Sequence, residues 1–186
     1  MKIPFISYGV LYADPAWQYE MWGEDTGYEK SPDMHYDCMT FEEMASLRDD
    51  IIFASAPNSV CFMWAVWPKL DEAMSLMAAW GFKYKTGGAW HKKTANNKTQ
   101  FGTGYIMRSA CEPFLIGTHG DPEILNRSTR NLIEEKVRGH SRKPDCVYGM
   151  LESLFSGPYL EIFARQTAPG WFSAGNEVDK FTYGID

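Results

Sequence analysis

The chain has 186 residues, of which 45% are hydrophobic, 23% charged and 15% aromatic. That is enough apolar mass for a single domain over residues 1–186 and too many rings for a disordered chain. Four scattered cysteines, Cys38, Cys61, Cys111 and Cys146, form no CxxC pair, the longest apolar runs fall short of the ~20 residues that cross a bilayer, and the opening Met-Lys-Ile-Pro-Phe-Ile-Ser carries no long apolar block. A disulfide framework, a zinc knuckle and a membrane span are therefore excluded, and a thiol-reduced, cytoplasmic protein is expected. The net charge of −6 is unevenly spread: residues 1–82 carry −9, residues 83–143 carry +7 and residues 144–186 carry −4. A basic middle between acidic ends is a local field suited to a polyanion. The alternative is a solvated surface with chance clustering.

In chain order, Val10–Ala13 reads as a short buried strand that stops at Asp14-Pro15, where proline removes a donor. Tyr19–Asp37 is polar, glycine-bearing and longer than an ordinary connection. Thr40-Phe41-Glu42-Glu43 is a capping box, with Met39 set to staple onto Met44. Ser59–Val66 predicts a second buried strand. Leu70, Ala73, Met74, Met77 and Ala78 then recur at helical spacing up to a stop at Gly81. Phe82–Lys93 and Pro113–Gly117 predict strands, separated by a second long polar segment, Thr94–Arg108. Val147, Met150, Leu151 and Leu154 predict a helix with Pro144 in its first turn, and Tyr159–Phe163 a last strand. Strands alternating with helices predict an α/β domain, a mostly parallel sheet flanked by helices.

In such sheets ligands bind outside the carboxyl ends of the strands. Asp14-Pro15-Ala16-Trp17 occupies one such end. Asp14 supplies a carboxylate acceptor, the Pro15 carbonyl a second acceptor, and Trp17 a flat wall. Two acceptors beside a ring suit a planar amine. Accepting both hydrogens biases its nitrogen toward a tetrahedral, reactive form. The bland alternative is a strand-ending turn with a core tryptophan. No histidine groups with cysteine at metal-ligand spacing, so no metal is expected.

Five ordered elements carry a resemblance. Asp14-Pro15-Ala16-Trp17, His35–Thr40, Phe62-Met63-Trp64, Ser141–Asp145 with Tyr148-Gly149-Met150, and Glu161–Arg165 with Trp171–Glu177 resemble the successive motifs of the MT-A70 family of adenine-N6 methyltransferases. They run from about Tyr8 to Val178. With the catalytic motif first and the cofactor segment last, the order resembles the circularly permuted class, and no Gly-x-Gly loop opens the chain. The resemblance implies a Rossmann-like class I methyltransferase fold and the cofactor S-adenosylmethionine (SAM), released as S-adenosylhomocysteine. It implies that Asp14 and the Pro15 carbonyl hold the target N6 amine, with Asp14 also bordering the cofactor. It further implies that Trp17 and Tyr36 line the adenine pocket, that Lys143 approaches the methionine carboxylate, and that Arg165 and Asn176 contact the ribose, with Glu177 beside them and Phe163 nearby. A methyl carried on a sulfonium needs no metal to activate its leaving group.

The sequence departs from the family pattern in three places. Ala16 replaces a proline, Gln166-Thr167 stands where His-Asn is frequent, and thirteen residues precede Asp14, so another group is expected to hold the adenine of SAM. The expected substrate is adenine in DNA, with RNA as alternative. A glutamine side-chain amide and an inactive, nucleic-acid-binding pseudo-methyltransferase are further readings. Lys92, Lys93, Arg108, Arg127, Arg130 and Arg142 are expected to include the phosphate contacts, with Thr94–Arg108 and Asp121–Ser141 reaching over the strand ends. With no separate target-recognition domain at this size, either low specificity or added surface from a homodimer or a second subunit is expected.

Overall fold

Two apolar runs, Val10–Ala13 and Val60–Trp64, make the centre of the fold because neither has a polar side to show to water. Alternate residues of a strand point to opposite faces, so a continuous apolar run demands cover on both. The computed structural model describes residues 3–17, 38–104, 106–139 and 141–185. The first run lies in β1 (Tyr8–Ala13) and the second in β2 (Ser55–Trp64). Leu11, Ala13, Cys61 and Met63 face a core closed by α1 (Phe41–Ala45), α2 (Arg48–Ala54) and α3 (Leu70–Ala79). Val10, Tyr12, Val60, Phe62 and Trp64 face a second core closed by α4 (Cys146–Leu154). The buried Trp64 indole N–H donates to the Tyr12 hydroxyl at 2.8 Å, which satisfies that polar tip inside the layer.

Local signals account for the helix ends. Thr40 caps α1 in a full capping box: its hydroxyl accepts from Glu43 N–H and the Glu43 carboxylate accepts from Thr40 N–H. Gly81 follows α3 at φ +87°, a left-handed turn that glycine adopts without a Cβ clash. Pro144 stands just before Asp145, the N-cap of α4, one step outside the first turn expected for it.

The remaining strands are β3 (Lys83–Lys93), β4 (Cys111–His119), β5 (Leu132–Lys136), β6 (Tyr159–Ile162) and β7 (Trp171–Ala174). The seven-stranded order is β5-β3-β4-β2-β1-β6-β7. Every neighbouring pair is parallel except those made by β4, which runs against both β2 and β3. The mostly parallel α/β sheet is thus borne out. The strands β5 and β7 and helix α2 were not expected; β5 interrupts the polar stretch Asp121–Ser141. β2 also starts four residues early, at Ser55, and its Pro57 lies where the register with β1 breaks between Tyr8 and Val10.

The chain leaves β1 for β2 on one side, and β6 leads to β7 on the other, so the order reverses between β1 and β6. That reversal is the crevice where ligands of doubly wound sheets bind. Asp14 follows β1 and Phe163 follows β6 at this one edge, since Ala13 pairs with Ile162.

Candidate active site

The site is built from charges that the sheet edge brings together. One Asp14 carboxylate oxygen lies 2.8 Å from Lys143 Nζ and the other 2.7 Å from the Arg165 guanidinium. Lys143 bridges to Glu112 at 2.8 Å, and Glu112 reaches Lys92 at 2.7 Å. Three cations and two carboxylates therefore alternate across the ends of β1, β3, β4 and β6. Burial alone raises the Glu112 carboxyl, but Lys143 and Lys92 outweigh it and bring it down to about 2. Burial disfavours the Lys143 ammonium, yet Asp14 and Glu112 hold its pKa well above the usual lysine range. Glu112 and Lys143 therefore stay ionised at neutral pH.

Beneath it, Glu161 is 5% exposed and accepts from the Tyr148 hydroxyl at 2.7 Å. Burial dominates there and carries its pKa up to about 8, against the pull of Tyr148 and with the push of Asp14. The Gln166 amide donates to the Tyr148 hydroxyl at 3.1 Å and to Asp145 at 2.8 Å. Asp145 is driven up by burial and, more strongly, down by Arg138, Gln166 and the Gly184 N–H, ending at about 2. A cleft opens over these groups, walled by Tyr12, Phe163 and Phe181 and edged by Asp14, Lys143 and Arg165.

Backbone strain marks the rim. Ser141 and Phe163 adopt φ of +58° and +59°, a left-handed conformation that non-glycine residues seldom hold. The Ser141 carbonyl so turned accepts from Arg165. The Phe163 ring stacks on Trp80, centroids 6.2 Å apart. Gly175 ends β7 directly against Ala164: a Cβ there would lie 2.2 Å from the Ala164 carbonyl oxygen. Only glycine lets the two strand ends meet.

Of the residues expected at the cofactor, Asp14, Lys143, Phe163 and Arg165 converge on this cleft. Asn176 is exposed just past Gly175, and Glu177 pairs with Lys180 at 2.8 Å. Pro15 and Ala16 complete the turn after Asp14. The Pro15 carbonyl accepts from Trp17 N–H at 2.9 Å and the Ala16 carbonyl from Met39 N–H at 3.0 Å. Trp17 is only 4% exposed and its indole N–H donates to the Trp64 carbonyl, so it packs in the core in place of the open wall expected of it. Tyr36 and the Tyr19–Asp37 loop lie outside the described residues.

The cations expected on phosphate divide. Arg142 is 7% exposed, and its guanidinium donates to the carbonyls of Ile185 and Thr182 and to Gln166. Its charge ties the 182–185 segment to the cleft, which leaves it buried away from a phosphate. Lys92 is taken by Glu112, and Lys93 lies 3.1 Å from Glu134. Arg127 and Arg130 are exposed, but they ride on the connection 120–131. It leaves the opposite edge of the sheet, where Asp121 N–H donates to Asn58 and Leu125 N–H to Leu154. They do not gather around Asp14. Arg108 remains exposed at the correct edge, its guanidinium 5.4 Å over the Phe101 ring. Sequence reading missed Glu112 and Phe181 as site residues, and it quoted Tyr148 and Glu161 in motifs without giving them a role. One signal was available for Glu112, a carboxylate amid the basic stretch.

The MT-A70 family model matches residues 8–177. The chain is 28% identical over 178 residues to the N(6)-adenosine-methyltransferase MT-A70-like protein of Arabidopsis thaliana, covering 93% of this chain and 24% of that one. It is 26% identical over 178 residues to the N(6)-adenosine-methyltransferase catalytic subunit METTL3 of Homo sapiens, covering 92% and 28%. It is 27% identical over 195 residues to the Type II methyltransferase M.MunI of Mycoplasma sp, covering 95% and 80%. The chain thus spans about a quarter of the length of the plant and animal relatives and most of the mycoplasmal one. With its motifs matched along nearly the whole sequence, and with Asp14 and Arg165 joined at the sheet's crossover, the chain belongs to the MT-A70 family.

Proposed function

We propose that the protein transfers a methyl group from SAM to the N6 amine of adenine in nucleic acid, with DNA as the first substrate and RNA as the alternative. The observation that carries this reading is Asp14 at the crossover, held between Lys143 and Arg165. Adenine N6 is supported by the family and by the names of its adenosine-methyltransferase relatives. DNA stands ahead of RNA because of how much of each relative the chain matches. The chain covers 80% of a Type II methyltransferase but about a quarter of the adenosine-methyltransferases.

The donor set of the cleft fits SAM in kind. Lys143 and Arg165 suit a carboxylate, Tyr12, Phe163 and Phe181 offer apolar walls, and the Asp14 carboxylate suits a cationic centre. Held there, SAM would supply a methyl group on a positively charged sulfur; that carbon–sulfur bond would break as N6 takes the methyl, leaving a neutral thioether. Asp14 and the Pro15 carbonyl accept the two N6 hydrogens. The Pro15 oxygen keeps a second lone pair beyond the one given to Trp17. Both Asp14 oxygens are occupied by cations, so the amine competes with one of them. Either cation can leave without being stranded, because Lys143 keeps Glu112 and Arg165 keeps the Ser141 carbonyl. As N6 forms its new bond to carbon, its lone pair leaves the ring and its hydrogens grow more acidic. The surplus proton departs along the Asp14 hydrogen bond to solvent.

The test is methyl transfer from labelled SAM to DNA and RNA in parallel, with nucleoside analysis of the product. Asp14→Ala is expected to lower turnover by about 10²–10³, the usual effect of a positioned electrostatic group. A calorimetric SAM titration of the variant separates lost binding from lost chemistry. Near-normal turnover by folded Asp14→Ala protein would overturn the assignment.

A further inference from the structure

The connection from β3 to β4 is a built loop. At its root, Gln100 N–H donates to the Lys92 carbonyl at 2.8 Å and Lys92 N–H to the Ala110 carbonyl at 3.1 Å. Thr94 N–H donates to the Lys98 carbonyl at 2.8 Å, and His91 Nε2 lies 2.9 Å from the Thr99 hydroxyl. Nearer the tip, Gly102 N–H donates to the Ser109 carbonyl at 2.9 Å and closes the turn. A Cβ on Gly104 would fall 2.0 Å from the Met107 carbonyl oxygen, so glycine allows the tip to fold onto itself.

This hydrogen-bonded frame holds apolar side chains in water. Ile106 is 97% exposed, Met107 82% and Phe101 55%. Polar residues serve a loop tip better unless the tip meets a partner, and adjacent, nearly naked Ile and Met side chains are the informative case. Their surroundings indicate which partner. Residues 94–110 contain Lys98 and Arg108 and no aspartate or glutamate, in a protein of net charge −6. The Arg108 guanidinium lies over the Phe101 ring. Three side chains present far less than the ~800 Å² per partner of a standard protein interface. Apolar side chains on a loop whose own charged residues are all cations match stacked bases between phosphates.

The loop is also fixed to the catalytic edge. Glu112, two residues beyond Ala110, bonds Lys143 at 2.8 Å, and Lys143 bonds Asp14 at 2.8 Å. An adenine inside a duplex is stacked, and an enzyme acting on it must take the base out. Proteins that unstack bases commonly insert apolar wedges between base steps. We infer that Ile106 and Met107, backed by Phe101, form a wedge that enters the base stack of duplex DNA beside the target adenine, while Arg108 and Lys98 hold the flanking phosphates. This rests on the proposed function and adds the means by which a duplex is opened.

The test uses the full chain with Ile106→Ser and Met107→Ser combined. These exposed side chains support no core, and a thermal melt matching the parent checks the fold. Methyl transfer is compared on a duplex, on the single strand of the same sequence, and on a duplex with an abasic site opposite the adenine. The wedge predicts at least a tenfold loss on the intact duplex and less than a twofold change on the other two. In parallel, 2-aminopurine at the target position reads unstacking without any chemistry. Its fluorescence is expected to rise with the parent protein and SAM and to stay low with the variant. Equal loss on all three substrates, or no loss on any, overturns the wedge. So does a parent protein that leaves 2-aminopurine dark. Loss on all substrates with a fall in mass by analytical ultracentrifugation assigns the tip to a protein partner instead. If the parent transfers no methyl to any nucleic acid but brightens 2-aminopurine in an Ile106- and Met107-dependent way, the catalytic reading fails while the wedge stands.

Discussion

Replacing Glu112 with glutamine removes one of two carboxylates that stand among Lys92, Lys143 and Arg165. The glutamine keeps the shape and leaves the two lysines facing each other with Asp14 as the remaining anion between Lys143 and Arg165. Glu112 is only 13% exposed in its side chain, so the loss belongs to the class of broken buried pairs, about 3–5 kcal/mol. Titration gives an independent size. The carboxyl moves from its ordinary 4.5 to about 2 on folding. At about 1.4 kcal/mol per unit, ionised Glu112 contributes roughly 3 kcal/mol at pH 7. Because the folded pKa is the lower one, this contribution is present above pH 4.5 and is lost as pH falls toward 2, a large part of it already gone by pH 3.5. Urea unfolding of parent and Glu112→Gln at pH 7, 5.5, 4.5 and 3.5 reads both effects. The gap between the two proteins is expected to be on the order of 3 kcal/mol at neutral pH and to narrow with acid. A gap under about 1 kcal/mol at pH 7, the size of a surface pair, refutes the argument, as does one that stays constant down to pH 3.5.

Glu161→Gln should act with the opposite sign. The parent carboxyl titrates near 8, so its protonated form stabilises the fold below pH 4.5 and that stability drains away as pH rises through 8. Relative to the parent, the variant is expected to gain on the order of 3 kcal/mol between pH 5.5 and 8.5, read by the same unfolding assay; parallel curves would remove Glu161 from the account. Gly175→Ala must push a Cβ against the Ala164 backbone and separate the ends of β6 and β7. It is expected to lose about 1–3 kcal/mol in thermal unfolding and to weaken SAM binding by calorimetry. Unchanged melting would mean that the strand ends have room to spare.

How legible each element was follows from how much of it is buried. β1, β2 and α3 carry their apolar residues where two cores need them, and the pattern is plain in the chain. β5 is an edge strand in which Ile133 alone is buried beside Glu134 and Glu135, so nothing in Leu-Ile-Glu-Glu-Lys distinguishes it from a polar loop. β7 is a four-residue edge strand, and α2 opens at Leu47 without a side-chain cap. The site divides in the same way. The place of Asp14 at a strand end was readable because the apolar run before it and Pro15 after it mark that end locally. Glu112 was not, because the lysines that give it meaning come 20 residues before and 31 after it. Arg142 failed as a phosphate contact for a related reason. Charge counting treats all cations as surface, whereas Arg142 spends its charge on the carbonyls of Ile185 and Thr182, respectively 43 and 40 residues on.

Asp14 and Arg165 touch although 151 positions separate them. During synthesis the first leaves the ribosome long before the second exists, and β1 must wait for β6 before its far side is covered. A nascent chain ending at Ser156 already has β2, β3, β4 and α4 but has no Arg165 to set against Asp14, and no Gly175 to close the crevice. Binding at this crevice therefore arrives late and all at once. Partial products of translation would carry Asp14 without the Arg165 and Gly175 that complete the crevice around it.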